Sequence, residues 1–216
     1  MIGDIMTVSR LRMGTDGKGV TTLVTFYDCP LKCKYCINDF CHGTGFIFDE
    51  PPRFAYTPQE LVKVLRKDEL YYLMSGGGVT FGGGEPLLQS AFIHEVCQLA
   101  DPKWNMRIET SLNVPWRNVE PLINDIDEWI IDIKDINDDI YYKYTGMSND
   151  QVIDNIFMLA DCIDKSRFHI RIPRIPEFNK KKDVDESVKW IKELLEVEPE
   201  VFDYIKTAEI NRDPVD

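Results

Sequence analysis

Val20-Thr21-Thr22-Leu23-Val24-Thr25-Phe26-Tyr27-Asp28-Cys29-Pro30-Leu31-Lys32-Cys33-Lys34-Tyr35-Cys36 joins a β-rich run, Val20 to Tyr27, to a loop with three thiols spaced C-x3-C-x2-C. Three is one short of a closed metal site. A structural zinc ion wants four ligands, and iron–sulfur clusters are normally held by four thiolates. The residues by themselves allow three readings: a cluster with one uncovered iron that can bind a small molecule, a zinc site completed by Cys41 or His42, or a redox pair with a bystander. Cysteine clusters in a reducing compartment usually mean metal or catalysis.

Outward from this stretch, apolar β-rich runs alternate with helical patterns, the rhythm of a βα-repeat protein with a parallel sheet. Six strands are expected: Val20 to Tyr27, Gly78 to Phe81, Arg107 to Glu109, Trp129 to Ile133, Phe168 to Ile172 and Phe202 to Thr207. A helix between the first two has a marked start. Thr57 is its N-cap, Pro58 its first position and Glu60 closes a capping box, while Leu61, Val64 and Leu65 give it an apolar face. Further helices are expected over Leu88 to Leu99, Asn149 to Cys162 and Val184 to Leu195, and Gly43 to Arg53 reads as a loop. Six βα units are too few to close an eight-stranded barrel. The expected fold class is therefore α/β, an open, partial (β/α)6 TIM-like barrel. The cysteines then fall in the loop after the first strand, at the carboxyl end where parallel βα folds carry their chemistry.

With 216 residues, 44% of them hydrophobic, the chain can bury one substantial core, and a single domain over 1–216 is expected. No apolar run reaches the roughly 18 residues needed to span a membrane. Met1 to Met6 has no basic segment followed by an apolar stretch, so no secretory signal is read there. The expected location is the cytoplasm, with Cys41, Cys97 and Cys162 as free thiols. A formal net charge of −12 argues against nonspecific binding to nucleic acid or anionic membrane and fits a protein or small-molecule partner.

A second loop supports a site at the same end. Gly76-Gly77-Gly78-Val79-Thr80-Phe81-Gly82-Gly83-Gly84-Glu85-Pro86-Leu87 sets a strand between two glycine runs. Glycines permit close backbone approach, so exposed N–H and C=O groups can meet a polar ligand edge. Alone, this is equally a flexible turn. A phosphate loop is excluded because no Lys-Ser or Lys-Thr follows.

These motifs resemble those of radical S-adenosylmethionine (SAM) enzymes and, within them, the glycyl-radical-enzyme activating enzymes, a pyruvate formate-lyase activating enzyme-like family. The cysteine spacing, with Tyr35 before Cys36, is similar to the superfamily's C-x3-C-x-aromatic-C signature. Gly78 to Gln89 resembles the family's GGVTFSGGEPLLQ segment, and Thr15-Asp16-Gly17-Lys18-Gly19-Val20 its TDGPGI entry into the first strand. Ile131-Asp132-Ile133-Lys134 is similar to its DxK element, Tyr144 to Asn149 to its TG-x-SN turn, and Arg171 to Pro176 to its R-x-P-x-IPG run. The similarity covers Thr15 to Lys206.

The resemblance implies one [4Fe-4S] cluster on Cys29, Cys33 and Cys36, whose open iron is chelated by the amino and carboxylate groups of SAM. Reductive cleavage then gives methionine and a 5′-deoxyadenosyl radical, which removes hydrogen from a glycine Cα of a partner enzyme. It implies a cofactor-binding set of Tyr35, Gly82, Gly83, Gly84, Glu85, Glu109, Thr110, Ser111, Asp132, Lys134 and Arg171. Gly82 to Gly84 would leave Glu85 open to the SAM ammonium. Asp132 and Lys134 are two apart on a strand and share a face; Lys134 would neutralise the SAM carboxylate, with Asp132 orienting it. Arg171 is read as a bidentate carboxylate binder rather than a structural ion-pair partner. Lys134, Asp132 and Arg171 form the catalytic set. Glu109-Thr110-Ser111 aligns with an element near which a monovalent cation binds.

Departures qualify the resemblance. The family's entry-turn proline is Lys18 here, the IPG glycine is Glu177, and Glu209 to Asp216 has no Leu-Pro-Tyr-His segment. The expected partners are a polypeptide substrate and a reduced flavodoxin or ferredoxin, the protein acting anaerobically as a monomeric oxidoreductase, with neither nucleic acid nor membrane. The alternatives are a radical SAM enzyme modifying a peptide, or a small molecule as the short deazaguanine synthases do, and a noncatalytic iron–sulfur protein.

Overall fold

The computed structural model describes residues 1–42 and 54–204. The strands are β1 (Gly3–Met13), β2 (Val20–Phe26), β3 (Phe54–Tyr56), β4 (Gly78–Gly83), β5 (Asn105–Thr110), β6 (Glu128–Asp132), β7 (Phe168–Arg174) and β8 (Glu200–Asp203). The helices are α1 (Pro58–Leu65), α2 (Glu69–Ser75), α3 (Ser90–Leu99), α4 (Asp138–Thr145), α5 (Asp150–Cys162) and α6 (Lys181–Leu195). All eight strands form one sheet in the order β3-β1-β2-β4-β5-β6-β7-β8. From β2 through β4 to β8 each neighbouring pair is parallel, which makes the six expected strands the wall of a partial barrel. The structure adds two strands that the sequence reading left out. β1 lies antiparallel to β2, and β3 antiparallel to β1. The sixth strand starts earlier than expected, and residues 205–207 of the expected run lie outside the described residues, as do the Gly43 to Arg53 loop and the chain's last residues.

The central parallel strands β4, β5 and β6 are largely buried on both faces, as strands covered by helices outside and a site inside must be, whereas β8 at the edge is not. Val79, Phe81, Ile108, Trp129, Ile131 and Ile172 are fully enclosed and continue into α1 and α3 through Leu61, Leu65, Ile93 and Val96. The start of α1 has the expected capping box. Thr57 Oγ1 accepts from the Glu60 amide and Glu60 reaches back to the Thr57 amide. The short α2 and α4 were not anticipated; glycines in left-handed conformation, Gly76 and Gly146, terminate them.

One buried polar contact ties the outer helices to the site end of the barrel. Asn155 on α5 is 1% exposed, and its side-chain amide donates to the carbonyls of Leu112 and Val114 at 2.8 and 2.7 Å, just past β5. Asn155→Ala leaves both carbonyls without that donor, so urea unfolding should show a loss of about 2–4 kcal/mol.

Candidate active site

The loop after β2 carries Cys29, Cys33 and Cys36, and backbone bonds to three other segments hold it. The Glu85 amide donates to the Asp28 carbonyl at 2.7 Å, and the Asp28 amide to the Cys41 carbonyl at 2.9 Å. The amides of Lys32 and Lys34 donate to the carbonyls of Thr145 and Tyr144, groups that the end of α4 leaves without helical partners. From the cysteine loop, Asn38 Nδ2 donates to the Gly83 carbonyl at 3.1 Å.

The three thiols line one cavity of about 630 Å³ together with Gly83, Gly84, Glu85, Glu109, Thr110, Ser111, Asp132, Lys134 and Arg171. That size is typical of pockets that enclose a small organic ligand. Its floor and walls are the carboxyl ends of the parallel strands, where register puts Gly83 beside Phe26 and Asp132 beside Arg171. Two of the expected site residues, Tyr35 and Gly82, lie outside this lining. Tyr35 packs edge-on against Tyr144 and Phe178, and its hydroxyl lies 3.1 Å from Glu177 Oε2.

The glycines do a different job from the one expected. A Cβ on Gly84 would sit 2.3 Å from the Asp28 carbonyl oxygen, and one on Gly83 2.6 Å from Thr25 Cβ and 2.9 Å from the Phe26 amide. Gly83 also has φ +97°. Both therefore let the β4 loop cross the backbone entering the cysteine loop. Nor do they leave Glu85 open. Its carboxylate is 1% exposed and accepts from Thr110 Oγ1 at 2.6 Å, Ser111 Oγ at 2.7 Å, the Ser111 amide at 3.0 Å and the Leu87 amide at 3.3 Å. Burial pushes its pKa up while these bonds from Thr110 and Ser111 pull it down. A set of N–H and O–H groups all able to donate inward suits the ionised form.

The remaining charges are paired. Lys134 Nζ lies 2.6 Å from Asp132 Oδ2 and 5.2 Å from the centre of the Tyr204 ring. Burial works against its charge, but Asp132 and Tyr204 outweigh that and hold its pKa well above the usual lysine value. Arg171 Nη1 lies 2.7 Å from Glu109 Oε1, and its guanidinium covers Phe202. Burial raises the Glu109 pKa, and Arg171 opposes the rise. Arg12 pairs with Asp16 on the far wall. Every base of the lining thus faces an acid of the lining, and Glu85 is the acid left over.

Several lining residues escaped the sequence reading. Thr7, Ser9 and Arg12 come from β1, Thr25 from β2, Asn38 from the cysteine loop and Tyr204 from the end of β8. The alternation of Met6, Thr7, Val8 and Ser9 is a strand signal, but its polar side resembles a solvent face.

The Radical SAM superfamily profile matches residues 23–194. The 4-hydroxyphenylacetate decarboxylase activating enzyme of Clostridioides difficile is 31% identical over 80% of this chain and 72% of its own length. The pyruvate formate-lyase-activating enzyme of Clostridium pasteurianum is 33% identical over 68% of this chain and 58% of its own. This chain belongs to the radical SAM superfamily, among the activating enzymes of glycyl-radical enzymes. Among solved structures, a domain of a pyruvate-formate lyase-activating enzyme from Bacteroides vulgatus superposes with a TM-score of 0.50 at 26% identity, over 59% of this chain and 78% of that one. Streptococcus suis SuiB bound to S-adenosylmethionine shares the fold at a TM-score of 0.62 and 18% identity, over 86% of this chain and 41% of that one.

Family membership implies SAM and a [4Fe-4S] cluster, and the donor set fits both. Among the described residues no three His, Cys, Asp or Glu side chains close on a single metal ion; the three thiols line one cavity, and thiolates are the donors that iron–sulfur clusters take. Cys41, the candidate fourth zinc ligand, is 1% exposed and is not among the lining residues; it packs with Met6 and Tyr27 against Cys29. Burial pushes Cys33 up to about 11 and Cys29 and Cys36 upward as well. Loading metal onto these thiols must then release protons, so cluster affinity rises with pH. On the ligand side, Asp132 Oδ1 is a buried oxygen without a hydrogen-bond partner.

Gly82 separates ligand access from folding. The nearest atoms to a methyl group there are Glu109 Oε2 and Leu23 Cδ1, both at 3.5 Å and in ordinary contact, from residues that line the cavity. Gly82→Ala should fold and load iron but bind SAM roughly tenfold more weakly by calorimetry. Gly83→Val should fail to give soluble protein, because its side chain strikes the β2 backbone.

Proposed function

We propose that the protein cleaves SAM reductively and removes a hydrogen atom from a glycine Cα of a partner glycyl-radical enzyme. The observation that carries this reading is the single cavity that joins three thiols to the paired charges at the strand ends. Cys29, Cys33 and Cys36 would hold the cluster, leaving one iron to a ligand. When bound and reduced, the cluster and SAM supply the 5′-deoxyadenosyl radical.

The chain's own part is binding, orientation and exclusion of water. SAM carries a sulfonium, an ammonium and a carboxylate, so it brings net positive charge. The lining answers with balanced pairs and the extra carboxylate of Glu85. Glu85, fixed by Thr110 and Ser111, would face the ligand's cationic groups without needing to touch them. Lys134, held in place by Asp132, would meet the SAM carboxylate, and Arg171, oriented by Glu109, would offer its remaining N–H groups. No general acid or base is required, since positioning and exclusion of water carry the catalysis. The electron comes from a reduced carrier of the flavodoxin or ferredoxin type, and the polypeptide enters from the open side of the barrel.

Lys134→Met keeps most of the side chain's apolar length. It should retain the cluster while SAM affinity falls roughly 30-fold or more and SAM cleavage is mostly lost. Cys29→Ala, Cys33→Ala and Cys36→Ala should each abolish stoichiometric cluster binding, and Cys41→Ala should not. For the reaction itself, protein reduced anaerobically with SAM is mixed with a glycyl-radical enzyme labelled with deuterated glycine. Deuterium in the 5′-deoxyadenosine, together with a glycyl radical signal by electron paramagnetic resonance that is a doublet with unlabelled glycine and collapses to a narrow line with the deuterated one, supports the activity; 5′-deoxyadenosine without deuterium points to another substrate.

A further inference from the structure

The loop between β7 and α6 makes one contact that the proposed chemistry does not use. Glu177 sits there at φ +71°, a left-handed conformation that ordinary side chains adopt only at an energetic cost. Its carboxylate is solvent-exposed and 3.1 Å from the hydroxyl of Tyr35, the residue next to Cys36. The same hydroxyl is 3.4 Å from the Pro176 carbonyl. Below it, the Tyr35 ring meets Phe178 and Tyr144 edge-on at centroid distances of 5.7 and 6.0 Å, and Phe178 meets Tyr144 at 5.1 Å. Tyr144 in turn accepts the Lys34 amide through its carbonyl.

We propose that Tyr35 and Glu177 form a latch that clamps the cysteine loop to the β7–α6 loop and slows the escape of the cluster that the loop holds. The cysteine loop is otherwise fastened mainly on its Asp28, Lys32, Lys34 and Asn38 sides; Tyr35 is the side chain that reaches across from beside Cys36 to the far wall. Tyr35 is thus a positioning residue for Cys36, outside the cavity lining, and Glu177 is its anchor. A residue kept in a strained backbone conformation while its side chain grips a neighbouring loop trades fold stability for local rigidity. That trade gives the latch a signature that general structural support does not have: removing Glu177 should relax the backbone and loosen the cluster at once.

The inference rests on the cluster-binding reading, and the test keeps the two apart. The parent, Tyr35→Phe, Glu177→Gln, Glu177→Gly and the Tyr35→Phe/Glu177→Gly pair are reconstituted anaerobically with iron and sulfide. Loss of cluster absorbance is then followed after addition of an iron chelator, and the melting temperature of each metal-free protein is recorded. Tyr35→Phe and Glu177→Gly should each release the cluster about fivefold faster, as expected for one hydrogen bond. The double variant should be no faster than Tyr35→Phe alone, because once the hydroxyl is gone Glu177 has no latch bond left to lose. Glu177→Gln, which keeps an acceptor, should stay near the parent. Metal-free Glu177→Gly should melt at the parent's temperature or above it, since glycine relieves the left-handed strain. Equal release rates in all proteins, additive effects in the double variant, or faster release with a lowered melting temperature in Glu177→Gly would each overturn the latch. A parent that takes up no cluster overturns the cluster reading instead.

Discussion

The buried carboxylate of Glu85 is the constraint on which the site depends. Its amide holds the Asp28 carbonyl at the start of the cysteine loop, and its side chain gathers Thr110 and Ser111 from the end of β5. One residue therefore fixes the relative position of the thiols and of the strand ends that face them. An anion this enclosed is tolerable only with its oxygens satisfied, because a buried carboxylate lacking donors costs several kcal/mol. The glycines before it complete the arrangement. Without side chains at 83 and 84, the β4 loop can press onto the β2 backbone closely enough for those amide bonds to form.

The charge pairs follow from the same geometry. Parallel strands side by side, cut off at the same level, bring Asp132 next to Arg171 and leave Glu109 within reach of the arginine. Lys134, just past the end of β6, folds back on Asp132 beneath Tyr204. Such pairs are costly to desolvate and contribute little to folding by themselves. Their value is preorganisation: a zwitterionic ligand entering the cavity meets charges whose positions are already set, and exchanges one partner for another without moving the frame.

Much of this was legible in the chain. Most of the parallel strands stand out as apolar β-rich runs between helical patterns, and the Thr57-Pro58-Glu60 cap marks α1 without ambiguity. Cys29, Cys33, Cys36, Glu109, Asp132, Lys134 and Arg171 all line one cavity, though Arg171 is paired with Glu109, the ion pair that the sequence reading set aside. The failures share a cause. β1 was missed because residues such as Thr7 and Ser9, which face the cavity, are polar like a solvent face, and β3 is only three residues long. The glycine run shows in sequence that space is needed, but not what fills it, and here backbone fills it rather than ligand. Tyr35 was placed with the cofactor set by its position in the cysteine signature, yet a side chain adjacent to Cys36 can point away from the thiols, and its contacts with Tyr144, Phe178 and Glu177 span more than a hundred residues of chain.

The central claim is that three thiols leave one iron open inside a cavity built for both ends of an amino acid. Electron–nuclear double resonance on the reduced cluster tests it most directly, using SAM labelled with ¹⁵N at the amino group and ¹⁷O at the carboxylate. The account predicts a hyperfine coupling from each label, together with a change in the cluster's resonance on adding SAM. A spectrum that SAM leaves unaltered, with neither coupling, would contradict it.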